Sequence, residues 1–191
     1  VTSQKSAYKP RNLILQLVGK NKEGKLTYEV VPSNIHLELN KPYYVAATVD
    51  ISETGESGIH FYVKALDSQE PVQTAAVKHQ VVGDYRPGHD FILGGREKTS
   101  GSRWNGMLDN VRLSRAALTP EELLINKPEQ RPESVVGFWQ FNTQQGLLKN
   151  SLADRLHLSA PAGSGGADAR QQALVDLCHV MLNSNGFLYL D

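Results

Sequence analysis

A carboxylate pair that hydrolyses a glycosidic bond must project into one cleft, with the two groups about 5–5.5 Å apart for retaining chemistry. On one β-strand that requires acids at positions i and i+2, because alternate side chains share a face. The chain has 20 acidic residues, and no two of them are separated by a single position. A pair assembled from different strands is the only route left to such an enzyme, so a glycoside hydrolase ranks last among the functions considered. The six histidines (His36, His60, His79, His89, His157, His179) show neither His-x-His nor His-Glu-x-x-His spacing. His36 and His60 fall on polar strand faces, where solvated surface is the simple expectation. Ser-His-Asp elbows, phosphate loops and dinucleotide fingerprints are absent; Gly94-Gly95 is followed by no helix.

Two constellations suit binding. Tyr85 and Trp104 sit in or beside two polar loops that also hold Arg86, His89, Arg96 and Arg103. An aromatic ring flanked by arginine and amide donors can stack on a sugar ring and bond its hydroxyls. The plainer role for Trp104 is to anchor the edge of the fold. The second constellation centres on Asp109. In a regular strand over 106–114, Met107, Asp109, Val111 and Leu113 share one face. A carboxylate among apolar neighbours requires hydrogen bonds or a cation. Arg96, Arg112 or loop amides can supply the former, making Asp109 a structural pin. The alternative is calcium, which takes six to eight oxygens. Asp84 and Asp90, with Asn105 and Asn110, are the other candidate ligands, although no spaced calcium loop is present. Calcium is the sole cofactor considered.

Composition narrows the partners. Twenty basic residues balance twenty acidic ones, for a net charge of zero. Nucleic-acid binding normally shows a basic excess or stripe, so it is not expected. Cys178 is the only cysteine, which excludes an internal disulfide and a four-cysteine zinc site. Cys178-His179 is only the end of a haem-attachment motif, since position 175 is Val, so no c-type haem is expected. No apolar run reaches the roughly 18 residues of a membrane helix. The start, Val1 to Lys5, has no signal-peptide core, as in a mature chain or a piece of a longer one.

The positioning elements read as strands. Leu13-Leu15-Leu17, Leu26-Tyr28-Val30, Ile35-Leu37-Leu39, Tyr43-Val45-Ala47-Val49 and Ile59-Phe61-Val63-Ala65 each recur at every second position, with residues between them that are polar or small except Ile14, Tyr44 and Tyr62. Period-2 alternation predicts antiparallel strands with one buried face. Turn chemistry at 21–24, 32–34, 40–42 and 52–58 separates them. Residues 72–82 are expected to form one extended strand, 91–93 a short buried one, 106–114 another and 135–141 a central one with Trp139 in the core. Thr119-Pro120-Glu121-Glu122 carries a capping-box pattern for a short helix. The expected fold is all-β, a two-sheet antiparallel sandwich over residues 1–160. Pro161-Ala-Gly-Ser-Gly-Gly166 marks a flexible linker at 161–168. A C-terminal helical tail occupies 169–191, with its helix at about 169–183. Leu174, Leu177, Cys178 and Met181 form its main stripe, while Val175, Val180 and Leu182 add apolar surface elsewhere. Such a helix wants cover on several sides, from the sandwich or from a second copy in a homodimer.

Gly94-Gly95-Arg96, then Gly106-Met107-Leu108-Asp109-Asn110-Val111-Arg112-Leu113, then Ala117-Leu118 before a short capped helix resembles the signature of laminin-G-like jelly rolls. These belong to the concanavalin A-like lectin/glucanase superfamily. Tyr43 to Asp50 is similar to the strand before that signature, with Tyr43-Tyr44 where the family usually has Trp-His. The resemblance covers about 12–125. Val136-Gly-Phe-Trp-Gln-Phe-Asn142 resembles the family's opening strand but follows the signature, so either the strand order is permuted or earlier sequence is missing. If permuted, 135–141 fills the gap that a missing first strand would leave. Residues 173–191 resemble the C-terminal end of large multidomain bacterial proteins that carry planctomycete-type cytochrome c modules. That resemblance implies an extracytoplasmic location (periplasmic or cell-surface) and other domains of a parent protein as partners. The leading expectation is a non-catalytic carbohydrate-binding or adhesive accessory module, with a glycan held at Tyr85, Arg86, His89, Arg96, Arg103 and Trp104. The alternative is an interdomain docking module with no ligand and no membrane insertion.

Overall fold

The computed structural model describes residues 1–2, 9–83, 91–95, 104, 106–127, 129–141 and 148–159. The linker 161–168 and the expected helix 169–183 lie outside the described residues. The chain divides into two compact units. Among the described residues, one unit comprises those up to Trp104 together with 116–118, and the other 106–115 with 119–159.

The first unit holds two three-stranded antiparallel sheets. In one, β1 (Asn12–Asn21) lies between β2 (Leu26–His36) and β6 (Val81–Gly83). In the other, β4 (Ile59–Ala65) lies between β3 (Tyr43–Val49) and β5 (Gln73–Val77). The fold is all-β with antiparallel sheets, as a sandwich requires. Its core is Leu17, Val31, Ile35, Leu37, Tyr43, Ile59, Phe61, Val63 and Val81, all buried. Each such side chain contributes about 1.5–3 kcal/mol relative to exposure.

The predicted turn at 32–34 does not exist. β2 runs unbroken from Leu26 to His36, and the turn residues form a bulge. Between Asn12–His36 and Ile14–Pro32, β2 advances four residues while β1 advances two. Asn34 takes φ 62°, and the buried Asn12 Oδ1 accepts its N–H at 3.1 Å. Ser33 Oγ accepts the N–H of Ile35 at 3.0 Å. Proline lacks a ladder donor, so a bulge on an edge strand tolerates it where a central strand would not. The bulge leaves Val31, Ser33 and Ile35 buried, while Leu26 and Tyr28, expected to face the core, point to solvent.

The expected strand 72–82 is two strands in different sheets. β5 pairs with β4 and β6 with β1, so the chain crosses between sheets at His79-Gln80. Buried His79 holds the crossing: Nδ1 lies 2.8 Å from the Val81 carbonyl and Nε2 3.0 Å from the Asp50 carbonyl. Gly58 packs against this ring, and a Cβ there would meet both the ring and the Glu53 carbonyl. His36 is exposed as expected; His60 is half-buried and stacks on Tyr62, with centroids 6.4 Å apart.

The second unit contains β7 (Val111–Ser114) paired antiparallel with β8 (Val135–Trp139). Phe138 and Trp139 are both buried, as a strand apolar on both faces predicts, but among the described residues β7 is its only strand partner. The Trp139 ring folds over Gly137, where a Cβ would collide with it, and its indole N–H donates to the Leu156 carbonyl at 3.1 Å. The expected capped helix is a single 3-10 turn, Pro120–Glu122, and the Glu122 carboxylate accepts the Thr119 N–H at 3.0 Å.

A buried asparagine does most of the joining in this unit. Asn150 Oδ1 accepts the N–H groups of Phe138 (3.0 Å) and Leu152 (3.2 Å), and Nδ2 donates to the carbonyls of Arg155 (3.0 Å) and Val136 (3.5 Å). Its own N–H donates to His157 Nδ1 at 3.1 Å. One side chain therefore splices β8 to the 150–157 segment, satisfying groups that a longer sheet would pair.

Candidate functional site

Of the residues expected to bind a ligand, Trp104 is described; Tyr85, Arg86, His89, Arg96 and Arg103 lie outside the described residues. Residues 91–95 form no strand, contrary to the sequence pattern, and Phe91 and Ile92 are exposed. Gly94 takes φ 75°, a left-handed backbone that suits glycine, and its carbonyl accepts the N–H of Trp104 at 2.8 Å. That bond joins the described residues on either side of 96–103. Trp104 is half-buried, and its indole Nε1 is shielded from solvent with no hydrogen-bond partner among the described residues. An indole N–H without an acceptor is an unspent donor.

Of the metal candidates, Asp109 is described; Asp84 and Asp90 lie outside the described residues. The regular strand that would set Asp109 on the face of Val111 and Leu113 does not form, because Asn110 adopts φ 50° and β7 begins only at Val111. Asp109 is half-buried. Burial raises its carboxyl above the usual aspartate range, and the hydrogen bond from the Asn110 backbone opposes that shift. Its Oδ1 accepts the Asn110 N–H at 2.8 Å and its Oδ2 the Asn110 side-chain amide at 3.0 Å. The carboxylate is thus held by its own sequence neighbour. Among the described residues no group of three or more His, Cys, Asp or Glu is placed to hold a metal ion.

Arg112, a sequence candidate to partner Asp109, spans a different gap. Its guanidinium donates to the carbonyls of Glu122 and of Gln130, the latter at 3.3 Å. Those two residues, with Lys127, Arg131 and Pro132, line an open cleft of about 400 Å³. Arg131 lies 5.6 Å above the Phe138 ring and donates to the Ser151 carbonyl at 3.4 Å. No residue pattern points to this cleft. Its walls come from irregular segments whose side chains follow no period. His79 and Asn150 were missed for the same reason.

A family model of the laminin-G type, described as the concanavalin A-like lectin/glucanases superfamily, matches residues 9–124. The chain belongs to that superfamily. No curated protein and no solved structure matches it. The superfamily match takes in all six strands of the first unit, the Gly94–Trp104 closure, β7 and the capped turn, and it ends before β8. Among the described residues, no helix is long and apolar enough to cross a membrane.

Proposed function

We propose that this concanavalin A-like chain is a non-catalytic carbohydrate-binding or adhesive accessory module of a larger extracytoplasmic protein. The observation that carries the reading is the superfamily match over 9–124, within which the Trp104 N–H is bonded to the Gly94 carbonyl beside the signature residues. The site consists of the loops at 84–90 and 96–104. The ring of Trp104, with Tyr85, stacks on a sugar, and Arg86, His89, Arg96 and Arg103 donate to its hydroxyls. Calcium, if it takes part, is held at Asp84, Asp90 and Asp109. The extracytoplasmic location and the parent protein rest on the resemblance of residues 173–191 to the ends of multidomain bacterial proteins. The absence of any i, i+2 pair of acids supports a binding role over hydrolysis.

A glycan array probed with the full chain, with and without a calcium chelator, tests this reading. A hit should weaken at least about tenfold in Trp104→Ala, equivalent to about 1.4 kcal/mol, without loss of the folded state. No hit on any glycan would reject the reading. A second reading, a docking module without a ligand, is favoured by one observation: apolar side chains stand exposed on the outer face of β1 and β2.

A further inference from the structure

The strand face of an antiparallel pair that meets water normally carries polar residues. The turn end of the β1–β2 hairpin does not. Val18 stands opposite Tyr28 and Lys20 opposite Leu26. These two pairs share a face, because they lie two positions apart on each strand. Val18, Tyr28 and Leu26 are 52%, 60% and 71% exposed. Further along the same face, Ile14, Gln16, Val30 and Pro32 are half-buried, so the exposure is confined to the turn end. The opposite face of that end is closed: Gly19 is buried, and a Cβ on it would meet the Gly83 carbonyl and the Val81 side chain. Contiguous apolar side chains held in water by a paired ladder mark a contact surface.

Charge lies directly beside them. Residues 20–25 carry Lys20, Lys22 and Lys25 against Glu23. Lys22 and Lys25 are exposed, and their ammonium groups have no partner among the described residues. The Glu23 carboxylate is turned back onto the turn, where it accepts the Asn21 side-chain amide at 3.2 Å. Asn21 also fixes the turn: its Oδ1 accepts the N–H groups of Glu23 (3.1 Å) and Lys25 (2.9 Å), and Gly24 takes φ 76°. The lysines and the apolar residues are therefore presented on a preformed backbone, which lowers the ordering cost of contact.

We propose that this hairpin end is a contact surface for an anionic lipid bilayer, with Leu26, Tyr28 and Val18 seated among the headgroups and Lys22 and Lys25 paired with lipid phosphates and carboxylates. The combination of residues selects the partner. A polyanion without acyl chains would engage the lysines and leave the apolar side chains in water. A lipid surface takes both. Tyrosine rings favour the membrane–water interface, apolar on one side and wet on the other. Lysine stems lie along apolar surface while their ammonium groups stay with the headgroups. The contact is interfacial, and no part of the hairpin spans the bilayer. The chain's net charge of zero does not oppose it, because screening leaves only charges near the surface to act. This inference is independent of glycan binding.

Cosedimentation of the full chain with vesicles tests the proposal. Vesicles of mixed phosphatidylcholine and phosphatidylserine should bind the chain at least about tenfold more tightly than phosphatidylcholine alone. Lys22→Gln combined with Lys25→Gln should weaken that binding about 25-fold, at about fivefold for each lysine lost. Leu26→Ser combined with Tyr28→Ser should weaken it at least about tenfold, because the lipid then covers no large apolar side chain on β2. All four substituted positions are exposed, and unchanged amide exchange in β4 verifies that both variants fold. Three results would overturn the proposal. One is a chain that binds neither vesicle or does not distinguish them. Another is binding that survives the Leu26–Tyr28 substitution, which would leave a charge contact open to any polyanion. The third is a dimer in sedimentation that the same substitution dissociates, which would make this face an interface between copies of the chain.

Discussion

In the unit that contains β1 to β6, long backbone ladders carry the fold. β1 pairs with β2 from one end to the other, and β3 with β4 over seven residue pairs. Ile59, Phe61 and Val63 are completely buried on the central strand β4. In the unit that contains β7 and β8, the ladder covers only four pairs, and Asn150 serves as the missing strand. The first unit rests on many apolar contacts between long ladders; in the second, side-chain bonds from Asn150, Ser151 and Trp139 tie β8 to the 150–157 segment. The difference shows that a short sheet can persist where a buried amide supplies the partners that neighbouring strands would otherwise provide.

The largest effect expected is on the first unit. Phe61→Ala removes a fully buried ring from a central strand and should cost about 3–5 kcal/mol in chemical denaturation. A loss below about 1 kcal/mol would mean that the β4 face is not core. Asn150→Ala comes next. It strands the N–H groups of Phe138 and Leu152, at about 1–3 kcal/mol for each group left unsatisfied. Amide exchange at Phe138 should accelerate while that of Phe61 does not; equal acceleration at both would erase the contrast between the units. Gly137→Ala is expected to cost about 1–3 kcal/mol, because the new methyl displaces the Trp139 ring. Near-ultraviolet circular dichroism should report the moved indole, and an unchanged spectrum would show that the ring is not packed on Gly137.

The smallest effects concern pH. Asp154 has its carboxyl lowered by the hydrogen bond and charge of His157, 3.0 Å away. A depressed carboxylate contributes stability that is present above its unfolded value of about 3.8 and is lost as pH falls through the lower folded value. Asp109 has the opposite sign. Its folded value is raised by burial, so its contribution is present below about 3.8 and is lost as pH rises through the folded value. Asp154→Asn should therefore flatten the acid limb of a stability–pH curve, while Asp109→Asn should leave stability at pH 7 equal or slightly higher. A marked loss in Asp109→Asn at pH 7 would assign its ionised carboxylate a partner beyond Asn110. If calcium binds there, adding it should lower the Asp109 titration midpoint measured by NMR.

Strand existence was legible from alternation. β1, β3 and β4 lie where their apolar residues repeat every second position. The inward phase of β2 was not legible, because Pro32-Ser33-Asn34 has the chemistry of a turn and a bulge alike. Only pairing with Asn12 decides between them. The sheet change at His79 was equally hidden, since Lys78-His79-Gln80 holds no glycine or proline to mark a break between Val77 and Val81. For the site, the Trp104 aromatic and its flanking loop could be named from residue types. That Asp109 is held by Asn110 could not, because left-handed backbone at an asparagine leaves no periodic trace.

The sequence alone determined an all-β superfamily domain, because period-2 alternation and turn residues are local properties that any neighbour along the chain expresses. Tertiary structure alone decided which face of the β1–β2 pair is core and which stays apolar in water, and which amide replaces a strand. Those outcomes depend on groups distant in sequence arriving at hydrogen-bonding range, and no local pattern encodes that arrival.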